Sequence, residues 1–125
     1  MTPTALIIED NAQNRYLATF LLEGSGFEVL SAVDGARGLV LARENKPNVI
    51  LLDIQLPGMD GYEVARRIRQ DAMLQDIPVI AVTSYAMGGD REKALGAGCN
   101  GYLEKPIDPE TFVADVRAFL GEKPV

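Results

Sequence analysis

Residues 5–8 and 49–52 are apolar at every position, reading Ala5-Leu6-Ile7-Ile8 and Val49-Ile50-Leu51-Leu52. A strand with one wet face alternates apolar and polar side chains, so short unbroken apolar runs mark strands covered on both faces, as in a parallel sheet. Helices must then pack on each side, and the intervening sequence supplies them. The first strand runs from Thr4 to Glu9, and residues 14–23 follow with Leu17, Phe20, Leu21 and Leu22 at near-helical spacing before Gly24-Ser25-Gly26. Residues 27–31 read as a second strand and 35–45 as a second helix, closed by Lys46-Pro47 because the residue before proline is driven from the helical region. The third strand, 48–53, leads through Pro57-Gly58 and Asp60-Gly61 to a helix over 62–71 that turns Val64, Ile68 and its arginine stems inward. Residues 77–83 form a fourth strand, 90–97 a shorter helix ending at Gly98, and 101–104 a fifth strand. Asp108 is expected to cap the last helix, with Pro109 in its first position. Five strand–helix units in strict alternation predict an α/β domain, (βα)5, with a parallel sheet, right-handed crossovers and helices on both faces. The pattern leaves the strand order open.

The length of 125 residues suits one domain over 1–125 with a single core. No apolar run approaches the roughly 18 residues that a bilayer crossing needs. The opening Met1-Thr2-Pro3-Thr4 lacks the basic and apolar regions of a secretory signal, so a cytoplasmic protein is expected. With Cys99 as its single cysteine the chain forms no internal disulfide, and Cys99 is expected in the core. There is no histidine, which removes a Ser-His-Asp triad, a histidine zinc site and a phosphohistidine carried by this chain. A net charge of −6 with scattered basic residues speaks against nucleic-acid binding and for protein partners and cations.

In an open parallel sheet the functional crevice lies beyond the carboxyl ends of the strands. Here those ends carry Glu9-Asp10, Asp53, Thr83 and Lys105-Pro106. Each has an ordinary reading: Asp10 or Asn11 as a helix cap, Asp53 in an Asx turn, Thr83 as a strand former and Lys105 as a solvated cation. Together they converge three carboxylates, a hydroxyl and an ammonium on one edge. Clustered carboxylates need a proton or cation to relieve their repulsion, and an all-oxygen set suits a hard divalent ion such as Mg²⁺. Asp53 could then serve as a nucleophile forming an aspartyl phosphate, with the metal and the lysine neutralising charge on the transferred group.

With those residues in place the chain resembles the receiver domain of bacterial response regulators, the CheY-like family, over essentially its full length. The resemblance rests on Ile8-Glu9-Asp10-Asn11, on Leu52 to Gly61 around Asp53, on Val82-Thr83-Ser84, and on Tyr102-Leu103-Glu104-Lys105-Pro106. The wording of Glu44-Asn45-Lys46-Pro47 and of Asp53 to Pro57 is similar to that of single-domain regulators of the DivK kind. It implies a flavodoxin-like strand order 2-1-3-4-5 and Asp53 as phosphoacceptor. Glu9, Asp10, Asp53 and the backbone carbonyl of Gln55 would hold Mg²⁺, or Mn²⁺ in its place, with Glu9 acting directly or through water. Lys105 would pair with the phosphoryl oxygens, Thr83 would donate its hydroxyl to one of them, and Lys105-Pro106 would be cis.

Thr83 and Tyr102 would form the switch, Tyr102 following the threonine inward and altering the face made by helix four, strand five and helix five. Gln55 and Tyr85 occupy positions implied to tune phosphoryl lifetime, the bulk of Tyr85 obstructing the attacking water. The implied partners are a sensor histidine kinase or a histidine phosphotransfer protein as donor, and a downstream protein target. No nucleic acid and no membrane is expected, and the protein would be a monomer or a weak phosphorylation-dependent dimer. A stand-alone regulator is expected rather than a module of a hybrid kinase or larger regulator, because Met1 immediately precedes the first strand and the fifth helix nearly ends the chain.

Three other functions compete. A nucleotide or flavin binder needs a glycine-rich loop after strand one, where this chain has Glu9-Asp10-Asn11-Ala12-Gln13-Asn14. A phosphatase forming an aspartyl phosphate would want an acid two residues beyond the nucleophile, where Gln55 stands. A docking module that is never phosphorylated would not need all the key side chains.

Overall fold

The computed structural model describes residues 2–84 and 89–120. Five strand–helix units follow one another: β1 (Thr4–Ile8), α1 (Ala12–Glu23), β2 (Glu28–Ala32), α2 (Gly35–Asn45), β3 (Val49–Asp53), α3 (Gly61–Gln70), β4 (Val79–Thr83), α4 (Asp90–Gly96), β5 (Gly101–Glu104) and α5 (Phe112–Ala118). The strands pair in parallel in the order β2-β1-β3-β4-β5. This is the flavodoxin-like arrangement that the resemblance implied. The chain starts in β1, steps outward to β2, then crosses to β3 and continues in the other direction. That reversal opens a crevice at the carboxyl ends of β1 and β3.

Successive side chains of a strand point to opposite faces, and this period of two builds two cores. Leu6, Ile8, Ile50, Leu52, Val79 and Ala81 pack with Ala42 of α2, Val64 and Ile68 of α3 and Ala94 of α4. Ala5, Ile7, Val49, Leu51 and Ile80 face the other way, against Ala18 and Leu22 of α1 and Phe112 and Val116 of α5. Every residue of β3 and β4 is buried, which is why those strands have no polar alternation.

Two sequence expectations need correction. The last helix does not begin at Pro109. Asp108 Oδ1 accepts from the amide of Glu110 at 2.9 Å, an Asx turn spanning two residues, and α5 starts only at Phe112. The Asp108 carbonyl accepts from the amides of Thr111 (3.2 Å) and Phe112 (2.9 Å), so the turn leads into the helix without belonging to it. Phe20, which shares the near-helical spacing of Leu17, Leu21 and Leu22, lies outside the core. It lies two positions, about 200° around the helix, from the inward Ala18 and Leu22, is 62% exposed and stacks on Tyr16 with ring centroids 6.2 Å apart. The first helix also starts earlier than residue 14, at Ala12, because Asn11 caps it by accepting from the amide of Asn14 at 2.9 Å.

Arg69 fastens the bottom of the α3–α4 side. Its Nε donates to the Gly98 carbonyl at 2.7 Å, Nη1 to the carbonyls of Gln75 (2.7 Å) and Ile77 (3.0 Å), and Nη2 to Asn100 Oδ1 at 2.5 Å. The same Asn100 oxygen accepts from the amide of Val79, the first residue of β4, at 2.9 Å. One side chain therefore ties the end of α3 to the turns before β4 and β5. Gly98 has φ of +109°, and a Cβ there would collide with the Arg69 stem, so both positions are fixed by one contact. Cys99 beside it is buried, and burial pushes its thiol up to about 11. Replacing Arg69 by Met keeps the stem but strips several carbonyls of their donor. We expect about 2 kcal/mol lower stability by urea denaturation, with the denaturant slope unchanged.

Candidate functional site

The register that pairs Ala5 with Val49 and Ile8 with Leu52 brings Glu9, one step further, beside Asp53. Both continue the odd-numbered face that carries Ala5, Ile7, Val49 and Leu51. On the far side of β4, Leu103 packs on the same face, and Lys105 two residues later returns to it. Period two alone thus aims a glutamate, an aspartate and a lysine from three strands into one crevice. Lys105 Nζ lies 2.5 Å from Glu9 Oε1 and 3.3 Å from Asp53 Oδ2. Glu9 is 5% and Asp53 4% exposed, so this bridge is shielded from water.

Burial raises the Glu9 carboxyl above its ordinary range, and the hydrogen-bonding contact and repulsion of Asp53 add to that. The Lys105 ammonium and the Asn11 amide pull against it without reversing the direction. Asn11 donates its amide to Glu9 Oε2 at 3.2 Å and caps α1 with its own side chain. Asp10, between them, is exposed and is not the cap. One carboxylate oxygen each from Glu9, Asp10 and Asp53 lie within 4.8 Å of one another.

Asp53 Oδ1 accepts from the amide of Gln55 at 2.9 Å. The Asx turn considered for Asp53 is therefore present and shapes the loop without occupying the second oxygen, which faces Lys105. The Gln55 side chain crosses the mouth, its Oε1 accepting from the Ser84 hydroxyl at 3.2 Å. Thr83 ends β4 with 2% exposure. By alternation it shares the face of Ala81, and so does Tyr102, which pairs with Ala81 and packs half-buried against the α2–α4 core. The hydroxyl and the aromatic ring are thus diagonal neighbours on the opposite face from the carboxylates. The Lys105-Pro106 peptide is cis. Tyr85 lies outside the described residues.

Three clustered carboxylates, two of them paired with one ammonium, form an oxygen-only donor set with excess negative charge, and a hard divalent cation fits it. Nitrogen- or sulfur-seeking metals have nothing here to bind.

The profile described as the response regulator receiver domain matches residues 5–117. This chain belongs to that family. A curated relative, the polar-differentiation response regulator DivK of Brucella ovis, is 43% identical over 122 residues, covering 98% of this chain and 99% of the relative. The receiver domain of a sensor histidine kinase from Pseudomonas aeruginosa, solved with magnesium coordinated in its active-site cleft, is 33% identical with a TM-score of 0.89, covering 98% of this chain and all of that one (100%). The chemotaxis response regulator CheY4 of Vibrio cholerae is 25% identical with a TM-score of 0.90, covering 95% and 99% of the two chains. As a receiver domain the chain is a signalling module of two-component systems, and such modules act with histidine kinases or phosphotransfer proteins and with downstream targets. Among the described residues no helix is long and apolar enough to cross a membrane.

Two features of this receiver escape a reading of the sequence. Ser84 is visible only as the residue after Thr83, and nothing local announces its bond to Gln55. Gly61 looks like a loop marker, yet it starts α3 directly against the Asp53 backbone. A Cβ at Gly61 would stand 2.6 Å from both the Asp53 carbonyl oxygen and Ile54 Cα, and the Gly61 amide donates to the Ile54 carbonyl at 2.9 Å. Backbone rather than a flexible side chain would have to yield. Gly61→Ala is expected to cost about 1 to 3 kcal/mol in chemical denaturation and to displace the amide resonances of Asp53 and Ile54. Unchanged stability and unshifted resonances would show that the loop yields freely.

Proposed function

We propose that this chain is a cytoplasmic, single-domain phosphoacceptor of a two-component phosphorelay, one receiver over residues 1–125, with Asp53 as its acceptor. The observation that carries the reading is the buried Glu9–Lys105–Asp53 bridge beside exposed Asp10, which unites a nucleophile, a cation and a metal-fit donor set. A carboxylate oxygen of Asp53 attacks phosphorus of a phosphohistidine supplied by a partner, since this chain has no histidine. The new bond is P–O, the P–N bond breaks, and its electron pair returns to the partner's imidazole. Mg²⁺, with Mn²⁺ as a substitute, would be held by Glu9, Asp10, Asp53 and the Gln55 carbonyl. It supplies charge neutralisation on the transferred phosphoryl oxygens.

Lys105 holds the acceptor carboxylate in the crevice and afterwards pairs with the phosphoryl group. Thr83 donates its hydroxyl to a phosphoryl oxygen, and Tyr102, its diagonal neighbour, follows on the α4 side of the sheet. A charge event on one face is thereby read as a packing event on the α4-β5-α5 face, where a protein target would dock. Gln55 at the mouth tunes access of water to the aspartyl phosphate, and Tyr85 is assigned the same role from its sequence position. The chain catalyses its own phosphorylation and slow dephosphorylation and acts on no other substrate.

Coverage of 99% of the DivK relative's own length favours the single-domain reading over a module of a hybrid kinase. Incubation with acetyl phosphate and Mg²⁺ is expected to add one phosphoryl group by intact mass spectrometry. Chelation with EDTA and the substitution Asp53→Asn should each abolish it. Phosphorylation that survives in Asp53→Asn would refute the assignment of the acceptor, and no adduct with the unaltered protein would leave it a docking module.

A further inference from the structure

Glu9 is held at every polar atom. Its amide donates to the Ala32 carbonyl at 3.0 Å, Oε2 accepts from Asn11, and Oε1 meets Lys105. Its backbone carbonyl, beyond the last residue of β1, accepts from Nη1 of Arg15 at 2.9 Å. Arg15 is half-buried in α1, and its own amide bonds the Asn11 carbonyl at 3.0 Å, so the guanidinium reaches back over the first turn of the helix to the strand it left. Three closures therefore fold residues 9–15 into one compact loop: Asn11 to Glu9, Asn14 to Asn11, and Arg15 to Glu9. Asp10 sits between two residues whose backbones are both fixed by this loop.

We infer that Arg15 is a positioning residue for divalent-cation binding, holding the Glu9-Asp10-Asn11 backbone so that both carboxylates meet Asp53 before the cation arrives. The inference rests on the metal-binding reading of the site. Arg15 ligates nothing itself. Its bond to a ligand's backbone acts as the outer hydrogen bonds of metal sites do, by fixing the direction of the donor atoms. The sign of its effect separates this role from its charge. As a bare cation beside the cluster, Arg15 would oppose a divalent ion, and its removal would tighten binding. As a positioning group it helps the ion, and its removal weakens binding.

The test titrates the full chain with MgCl₂ alone, following backbone-amide NMR shifts, for the unaltered protein, Arg15→Met and Arg15→Lys. Arg15→Met keeps the alkyl stem and is expected to lower Mg²⁺ affinity on the order of tenfold. In the metal-free state its Asp10 and Asn11 amides should exchange faster with solvent. Arg15→Lys, which can still donate to the Glu9 carbonyl, is expected to recover part of the affinity. Unchanged or tighter Mg²⁺ binding by Arg15→Met would overturn the inference while leaving the metal site standing. A wild-type chain that binds no Mg²⁺ would overturn both.

Discussion

The ammonium of Lys105 lies between the carboxylates of Glu9 and Asp53 at the carboxyl edge of the sheet, and the surrounding loops are built around that bridge. Two buried carboxylates on adjacent strands repel one another, and a shielded ion pair is costly to break from one side. The raised Glu9 carboxyl shows that compensation is incomplete. A carboxyl raised in the folded state binds its proton more tightly there than in the unfolded chain. Its contribution to stability is therefore full below the ordinary glutamate value and is lost as pH rises through the folded one. A divalent cation bound beside Glu9 would favour its ionised form instead.

How much of this could be read beforehand depended on how local each cause was. β3 and β4 were legible because burial on both faces leaves an unbroken apolar run. The carboxyl-edge residues were legible because the strand ends were. Order 2-1-3-4-5 came only from resemblance, since periodicity says which face a residue takes and nothing about which strand lies beside it. The start of α5 was misplaced because Asp108-Pro109 carries the sequence marks of a helix cap while its Asx bond closes a shorter turn. Large apolar residues crowd the end of α1, and only the packed sheet reveals that its inward line runs through Ala18 and Leu22 and leaves Phe20 outside.

The residues that sequence reading missed have long reach in common. Arg69 joins positions 29 and 31 residues away, and Ser84 meets Gln55 across 29 residues. Neither spacing belongs to a helix or strand period, so no local pattern signals it. Arg15 lies only six residues from Glu9, yet its bond turns backward over a helix terminus, a geometry set by where Asn11 ends the loop. The arginine contacts join a helix to a loop, and the Ser84–Gln55 bond joins two loops. Arg15 and Ser84 brace the loops at the carboxyl edge, while Arg69 braces the turns at the opposite edge of the sheet.

Alternation along the strands also divides the molecule's work. Glu9, Asp53 and Lys105 lie on the face shared with α1 and α5, while Thr83 and Tyr102 belong to the face shared with α2, α3 and α4. A flavodoxin-like binder of nucleotides would meet phosphate with bare backbone amides at the start of its first helix. Here that helix start is capped by Asn11 and flanked by Glu9 and Asp10, so phosphate can approach only in company with a cation. The charge pattern therefore disfavours the bare phosphate of a bound nucleotide at this helix start. Thr83 ends β4 on the α2–α4 face, across the sheet from Glu9, Asp53 and Lys105. Thr83 and Tyr102 stand on adjacent strands, β4 and β5, that are already paired in register, so the two side chains are linked by the sheet itself with no intervening element.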